Sequence, residues 1–406
     1  MTEPWLHVIG IGADGLDGLS ADQRRRVAEA EFLVGGARHL AMASGFSPAE
    51  QLTWEIPLER TVTRIRDARG RRVVVLATGD PMWFGIGVTL ARAFAPGDYV
   101  ISPSLSAFTL AASRLGWPLA DTVCLTVHGR PIELILRHLL PDARLLILSE
   151  NGETPAEVAA LITTHGYGAS LVTVLAELGG AEEGRWDGAA ADWSWASLPD
   201  LNTIAIICQP DRDASPRWSG VPGLPDRAFT HDGQLTKQPI RAATLAALAP
   251  LPGELLWDIG AGSGAIAIEW LRAARGTRAI AIERSTERGA MIRTNAASLG
   301  TPDLKVVQGS APDALSDLPA PDAVFIGGGV TIEGVFEAAW AALKPGGRLV
   351  ANVVTLEGEA LLLARHGQLG GSLKRFSISR AEPVGPHQAW RPLMPVTQLL
   401  LEKPRS

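Results

Sequence analysis

Short runs of consecutive apolar residues recur along the chain. Val73-Val-Val-Leu-Ala77, Leu145-Leu-Ile-Leu148 and Thr203-Ile-Ala-Ile-Ile-Cys208 are each too short for a core helix. They also lack the polar alternation of a half-exposed strand, which predicts strands buried on both faces. Between the last two, Thr154-Pro155-Ala-Glu157 places an N-cap, a first-turn proline and a closing glutamate in order, predicting a helix that starts there. Beyond residue 226 the pattern repeats, with strands predicted over 254–259, 278–282, 305–308, 323–326 and 348–352 and helical stretches between them. Strands alternating with helices imply a parallel sheet covered on both faces, so the predicted class is α/β in both halves. Residues 209–225 are rich in Pro, Gly, Ser and charge and read as a linker, which divides the chain into domains at 1–208 and 226–406. There is no internal repeat, so the halves are not copies of each other.

At 406 residues, with 46% hydrophobic and 20% charged, the chain can build two sizeable cores. Its formal charge of −6 offers no general attraction to nucleic acid phosphates. The segment Met1 to Trp5 lacks a basic stretch followed by an apolar run, and no run approaches the ~18 apolar residues of a membrane span. A cytoplasmic protein with no membrane and no nucleic acid partner is therefore expected. Cys124 and Cys208 read as buried, reduced thiols, and no Cys/His/Asp/Glu spacing suggests a metal site.

The clearest chemical signal lies in the second half, where Leu255-Leu-Trp-Asp258-Ile-Gly260-Ala-Gly262-Ser-Gly264 carries a strand into a glycine-rich turn and then a helix. Such glycines admit positive φ and let the backbone approach a ligand. Asp258 ends the strand, placed for a cationic amino group or ordered water. Glu283 closes the next strand, where a carboxylate can accept both hydroxyls of a ribose, and Ser310 and Ala311 follow the third, where an adenine could lie. An NAD site competes with a methyl-donor site at this point. The Gly-x-Gly-x-Gly pattern, with an acid directly before it, differs from the Gly-x-Gly-x-x-Gly of dinucleotide folds.

This combination resembles the Rossmann-like class I methyltransferases. Asp232-Gly-Gln-Leu-Thr236-Lys237-Gln-Pro-Ile-Arg241, Ala323-Val-Phe-Ile-Gly327-Gly328-Gly329 and Leu343-Lys-Pro-Gly-Gly-Arg348 narrow the resemblance to the decarboxylating precorrin methyltransferase family. It implies donor contacts at Thr236, Asp258, Gly260, Gly262, Gly264, Glu283, Ser310, Ala311, Gly327 and Gly328, and points to Lys237 for decarboxylation.

The first half carries a different set. Val8-Ile-Gly10-Ile-Gly12 follows a short strand, but no acid ends the second strand at 31–34. The distinctive segments are Ala77-Thr-Gly79-Asp80-Pro81-Met-Trp-Phe-Gly85, Ser102-Pro-Ser-Leu-Ser106-Ala107-Phe, His128-Gly-Arg130-Pro131 and Glu177-Leu-Gly-Gly180. Together they resemble the two-lobed tetrapyrrole (class III) methylase family. The resemblance implies donor contacts at Gly10, Gly79, Asp80, Ser106, Ala107 and Glu177. His128 and Arg130 are candidates for holding acidic substituents of a substrate.

In this order, along essentially the whole chain, the halves resemble the fused C5,15-methyltransferases of cobalamin biosynthesis. That resemblance implies methylation of precorrin-6B at carbons 5 and 15 with loss of the ring C acetate carboxyl group, giving precorrin-8X. It also implies two S-adenosylmethionine sites per chain, a small-molecule tetrapyrrole substrate and a homo-oligomer. A polycarboxylate substrate calls for arginines, with Arg130, Arg241, Arg380 and Arg391 as candidates. The rival classes are a nucleic acid base methyltransferase, disfavoured by the acidic balance, and a non-catalytic donor-binding module.

Overall fold

The computed structural model describes residues 4–212 and 218–405. It divides into two compact units, 4–212 and 218–405, save that Glu133–Arg137 belong to the second.

The first unit holds two five-stranded sheets. One is wholly parallel, in the order Glu50–Thr53, Phe32–Gly35, Val73–Thr78, Leu6–Ile11, Tyr99–Ser102. Its central strands are apolar throughout because both faces are covered. Val8, Val73 and Val75 enter one core cluster, and Ile9, Val74 and Leu76 the other. The second sheet runs Thr122–Thr126, Arg144–Leu148, Asn202–Ile207, Leu171–Ala176, Gly184–Ala189, with only the first pair parallel. The predicted helix after residue 153 is present as Thr154–Ile162 with Pro155 in its first turn, but its N-cap is Glu153. The Thr154 hydroxyl instead accepts the amides of Glu150 and Asn151, which closes the preceding loop. Cys208 is buried, which pushes its thiol up to about 12, while Cys124 is only partly covered.

The second unit is a seven-stranded sheet in the order Lys305–Gln308, Arg278–Glu283, Leu255–Ile259, Ala323–Ile326, Arg348–Val353, Val396–Glu402, Ser372–Phe376. The first five strands are parallel, as the alternation with helices implies, and Val396–Glu402 runs antiparallel to both of its neighbours. Leu256, Ala281, Phe325 and Val350 pack to one face, and Leu255, Trp257, Ile280, Val324 and Leu349 to the other. A two-stranded ribbon, Ser379–Val384 with His387–Pro392, was not foreseen and stands almost wholly exposed.

Within the span read as a linker, residues 213–217 lie outside the described residues. The flanking parts are attached to the units. Asp211 accepts the amides of Gly168 and Ala169. On the other side, Leu224 is buried in the second core, and Gly223 and Leu224 donate their amides to Glu269 at 2.5 and 3.0 Å. Residues 218–225 are therefore a strap on the second unit. Composition reads them as loop because their satisfied hydrogen bonds run to side chains far along the chain.

Candidate active sites

In the second unit the strand Leu255–Ile259 delivers the glycine turn to the carboxyl end of the sheet, and helix Ala265–Ala273 departs from it. Gly260, Gly262 and Gly264 all have positive φ, at 69°, 58° and 77°. A Cβ on Gly260 would lie 2.9 Å from the backbone of Gly328, so two predicted glycine segments pack directly on each other. The turn opens into a cavity of about 620 Å³. Thr236, Lys237, Gly260, Gly262, Gly327 and Gly328 line it, so the structure gathers these six predicted residues around one space.

The remaining predicted residues support the cavity from behind or lie beside it. Glu283 is buried and accepts the amide of Gly262 at 2.9 Å and that of Ser285 at 3.0 Å, so its carboxylate fixes the turn. Asp258 is buried beneath the turn. Its Oδ2 accepts the Ala267 amide at 3.1 Å, while Oδ1 has no partner among the described residues. Burial pushes this acid up to about 7 against the pull of the Ala267 hydrogen bond, and the nearby Glu283 charge adds to the rise. Gly264 caps the helix, and Ser310 is exposed, its carbonyl accepting the Ala314 amide, with Ala311 beside it. A cavity walled by the bare backbone of two close-packed glycine turns fits a ligand that carries a nucleoside, and Asp258, which does not line it, supports the turn from beneath.

Lys237 is the N-cap residue of helix Gln238–Leu248, and its ammonium has no hydrogen bond or ion pair among the described residues. Thr236 lies one residue outside that cap. Arg241 must be corrected. It is fully buried, pairs with Glu269 at 2.5 Å and Asp226 at 3.2 Å, and donates to the carbonyls of Thr236 and Leu224. Four of its five N–H donors are used inside the fold and the side chain is fully buried, so it does not reach a substrate carboxylate. It ties the strap to the rim of the cavity. Arg380 and Arg391 sit on the exposed ribbon, paired with Asp226 and Glu382. Among the polar residues at the cavity wall that escaped the sequence reading are Asn352, which lines it, and the buried Thr244 and Gln398 bonded to it. The available signal was an asparagine at the end of an otherwise apolar strand.

In the first unit, the end of strand Leu6–Ile11 meets the loop after Val73–Thr78. A Cβ on Gly10 would overlap the Gly79 carbonyl and come within 2.6 Å of the Ser104 amide. Gly79 has φ 57°, and its Cβ position faces Ser106 Cα at 3.3 Å. Ser106 caps helix Ala107–Leu115 by accepting the Thr109 amide at 3.1 Å, so its hydroxyl is engaged, and Ala107 begins the helix. The Asp80 carboxylate accepts the Met82 amide at 2.8 Å and holds its own turn. Glu177 has φ 49° and lies 3.9 Å from Arg38, and a Cβ on Gly180 would come within 2.9 Å of Ala13. The segments containing Gly10, Gly79, Ser106 and Glu177 therefore converge from both sheets. His128 is exposed, 3.3 Å from Glu150, and the Arg130 guanidinium stacks over Phe84 of the aspartate-proline loop at 5.6 Å.

Two unlike α/β units, each with a glycine turn at the end of a parallel strand, have the form of two α/β enzyme domains in one chain. Residues 5–192 match the tetrapyrrole (corrin/porphyrin) methylases, and residues 227–403 match the precorrin methyltransferase domain. A precorrin-6Y C(5,15)-methyltransferase [decarboxylating] from Sinorhizobium sp is 50% identical over 98% of this chain and 96% of its own. The chain belongs to the precorrin-6Y C(5,15)-methyltransferase family, and with that membership goes the use of S-adenosylmethionine. A probable cobalt-precorrin-6B C(15)-methyltransferase (decarboxylating) from Pyrobaculum calidifontis is 32% identical over 43% of this chain and 93% of its own. The crystal structure of the C-terminal domain of precorrin-6Y C5,15-methyltransferase from Rhodobacter capsulatus is 50% identical, covers 46% of this chain and 100% of its own, and aligns with TM-score 0.44. No helix among the described residues is long and apolar enough to cross a membrane.

Proposed function

We propose that the chain methylates a reduced precorrin at carbons 5 and 15 and decarboxylates its ring C acetate, the first unit acting at carbon 5 and the second at carbon 15 and on the acetate. The observation that carries this reading is the second unit's cavity, walled by two close-packed glycine turns and containing one charged residue, Lys237. A relative named for the C(15) methylation and decarboxylation alone matches 183 residues, about the size of one unit.

S-adenosylmethionine, when bound, supplies an electrophilic methyl group. Gly260, Gly262, Gly327 and Gly328 would hold it in the second unit, with Glu283 fixing the turn. Gly10, Gly79 and Ala107 would hold it in the first. The protein's own contribution is mostly placement, since an enamine-like tetrapyrrole carbon is already nucleophilic and orientation can supply about 7–11 kcal/mol. Lys237 places a positive charge in a largely apolar cavity. There it holds a carboxylate; as the bond to carbon dioxide breaks, its electron pair passes into the conjugated ring system, which the charge favours, and protonation by water leaves a methyl group in place of the acetate. The test is incubation of the full chain with precorrin-6B and methyl-labelled donor. The expected product is heavier by two methyl groups and lighter by one carbon dioxide; an unchanged tetrapyrrole would overturn the reading.

A further inference from the structure

Strand Arg348–Val353 alternates Val350 to one core and Leu349, Ala351 and Val353 to the other, so Asn352 continues the Val350 face where that face opens into the cavity. Directly across the antiparallel ladder sits Gln398, 2% exposed, and beneath both lies Thr244 of helix Gln238–Leu248, fully buried. Polar side chains at such positions are costly unless every group is bonded. Here the bonds also fix direction. The Thr244 hydroxyl donates its one proton to the Ile240 carbonyl at 2.7 Å, so its oxygen can only accept. It accepts from Asn352 Nδ2 at 2.8 Å and Gln398 Nε2 at 3.3 Å, and Gln398 Nε2 also donates to Asn352 Oδ1 at 3.0 Å. A flipped Asn352 would set its oxygen against an oxygen with no proton left and its amide against another amide. The carboxamide is therefore locked, and its second N–H has no acceptor among the described residues.

We propose that Asn352, with Lys237, forms a carboxylate-binding subsite in this cavity. Lys237 caps the helix that carries Thr244, about 10 Å away along its axis, and Lys237 and Asn352 line the same cavity. No acid lines the cavity, and Lys237 is its one charged lining residue among those described. An oriented neutral donor and an unpaired ammonium lining one cavity suit a carboxylate, and the amide does not titrate away. Two sources share this chemistry: the substrate's acetate and the amino acid carboxylate of the methyl donor. The subsite rests on the reading that this cavity takes both molecules.

Titration of the full chain, separately with S-adenosylhomocysteine, its decarboxylated counterpart and precorrin-6B, decides the matter without requiring turnover. Asn352→Asp removes the donor and adds a like charge. It should weaken one carboxylate ligand at least about tenfold, as loss of a hydrogen bond to a charged group does. If precorrin weakens and S-adenosylhomocysteine does not, the substrate acetate is the occupant. If S-adenosylhomocysteine weakens while its decarboxylated counterpart does not, the donor carboxylate is. Lys237→Met, outside the polar network, should weaken the same ligand, and it carries the test if Asn352→Asp does not fold. Gln398→Met removes one of the two bonds that hold the Asn352 carboxamide, leaving the one to Thr244, and should give a smaller loss in that ligand alone. If Asn352→Asp and Gln398→Met lower the melting temperature but leave all three affinities within twofold, the network is structural and the subsite is refuted. A chain that binds that one ligand through these residues yet converts nothing would overturn the reaction and leave the subsite standing.

Discussion

Asp258→Asn should stabilise the second unit at alkaline pH, by an amount set by proton linkage. In the fold this acid has one oxygen on the Ala267 amide and one on nothing, and its pKa rises from 3.8 to about 7. The folded state therefore keeps a proton that the unfolded chain releases between those values. The stability linked to it is complete below about pH 4 and is lost as pH rises through 7. A rise of that size corresponds to about 4 kcal/mol above pH 7 at 1.36 kcal/mol per unit, more than half of it falling between about pH 5 and 8. Asparagine keeps an acceptor for Ala267, puts an amide where the orphaned oxygen lies and carries no charge. Thermal unfolding followed by the emission of the buried Trp257 and Trp270 against pH is the assay. The two proteins should melt alike near pH 4, and the variant should lead by several degrees at pH 8, since 1 kcal/mol moves a domain of this size by about 2–4 °C. A constant offset at every pH, or a parent that gains on the variant as pH rises, would refute the argument.

Four further outcomes are expected. Gly10→Ala, whose methyl would overlap the Gly79 carbonyl, should destabilise the first unit by about 1–3 kcal/mol and suppress carbon-5 methylation, with the second unit's melting unchanged. Glu283→Gln leaves one of two bonded amides without its acceptor and should weaken donor binding about tenfold or more in titration. Calorimetric titration of the unmodified chain should fit two donor molecules, falling to one in Gly262→Val, where a branched residue would need φ 58° with its Cβ 3.3 Å from the Gln234 carbonyl. Fragments 1–212 and 218–406 should each unfold cooperatively in calorimetry, and two molten fragments would show that the boundary is misplaced.

Most of the strands that the sequence announced are buried on both faces, which makes an unbroken apolar run; Lys305–Gln308 was announced though only partly buried, and the buried Leu171–Ala176 was not. The antiparallel strand Val396–Glu402 was missed because Thr397 and Gln398 interrupt its run, and both are buried and bonded to side chains far along the chain. The ribbon 379–392 was missed for the opposite reason, since almost nothing in it is buried and no face leaves a hydrophobic trace. The same distinction separates the readable part of the sites from the rest. Glycine turns are legible because their backbone angles exclude other residues, and Gly260 and Gly262 stand where the motif put them. Side chains whose role depends on a distant partner are not legible. Arg241 looked like a free cation four residues beyond the cavity's Lys237, yet Glu269, twenty-eight residues on, fixes it inside the core. Asn352 looked like the polar end of a strand, and only the exhausted proton of Thr244 shows which way its amide must face. In this chain local motifs identify where a ligand can lie, and long-range hydrogen-bond direction decides which groups are left to meet it.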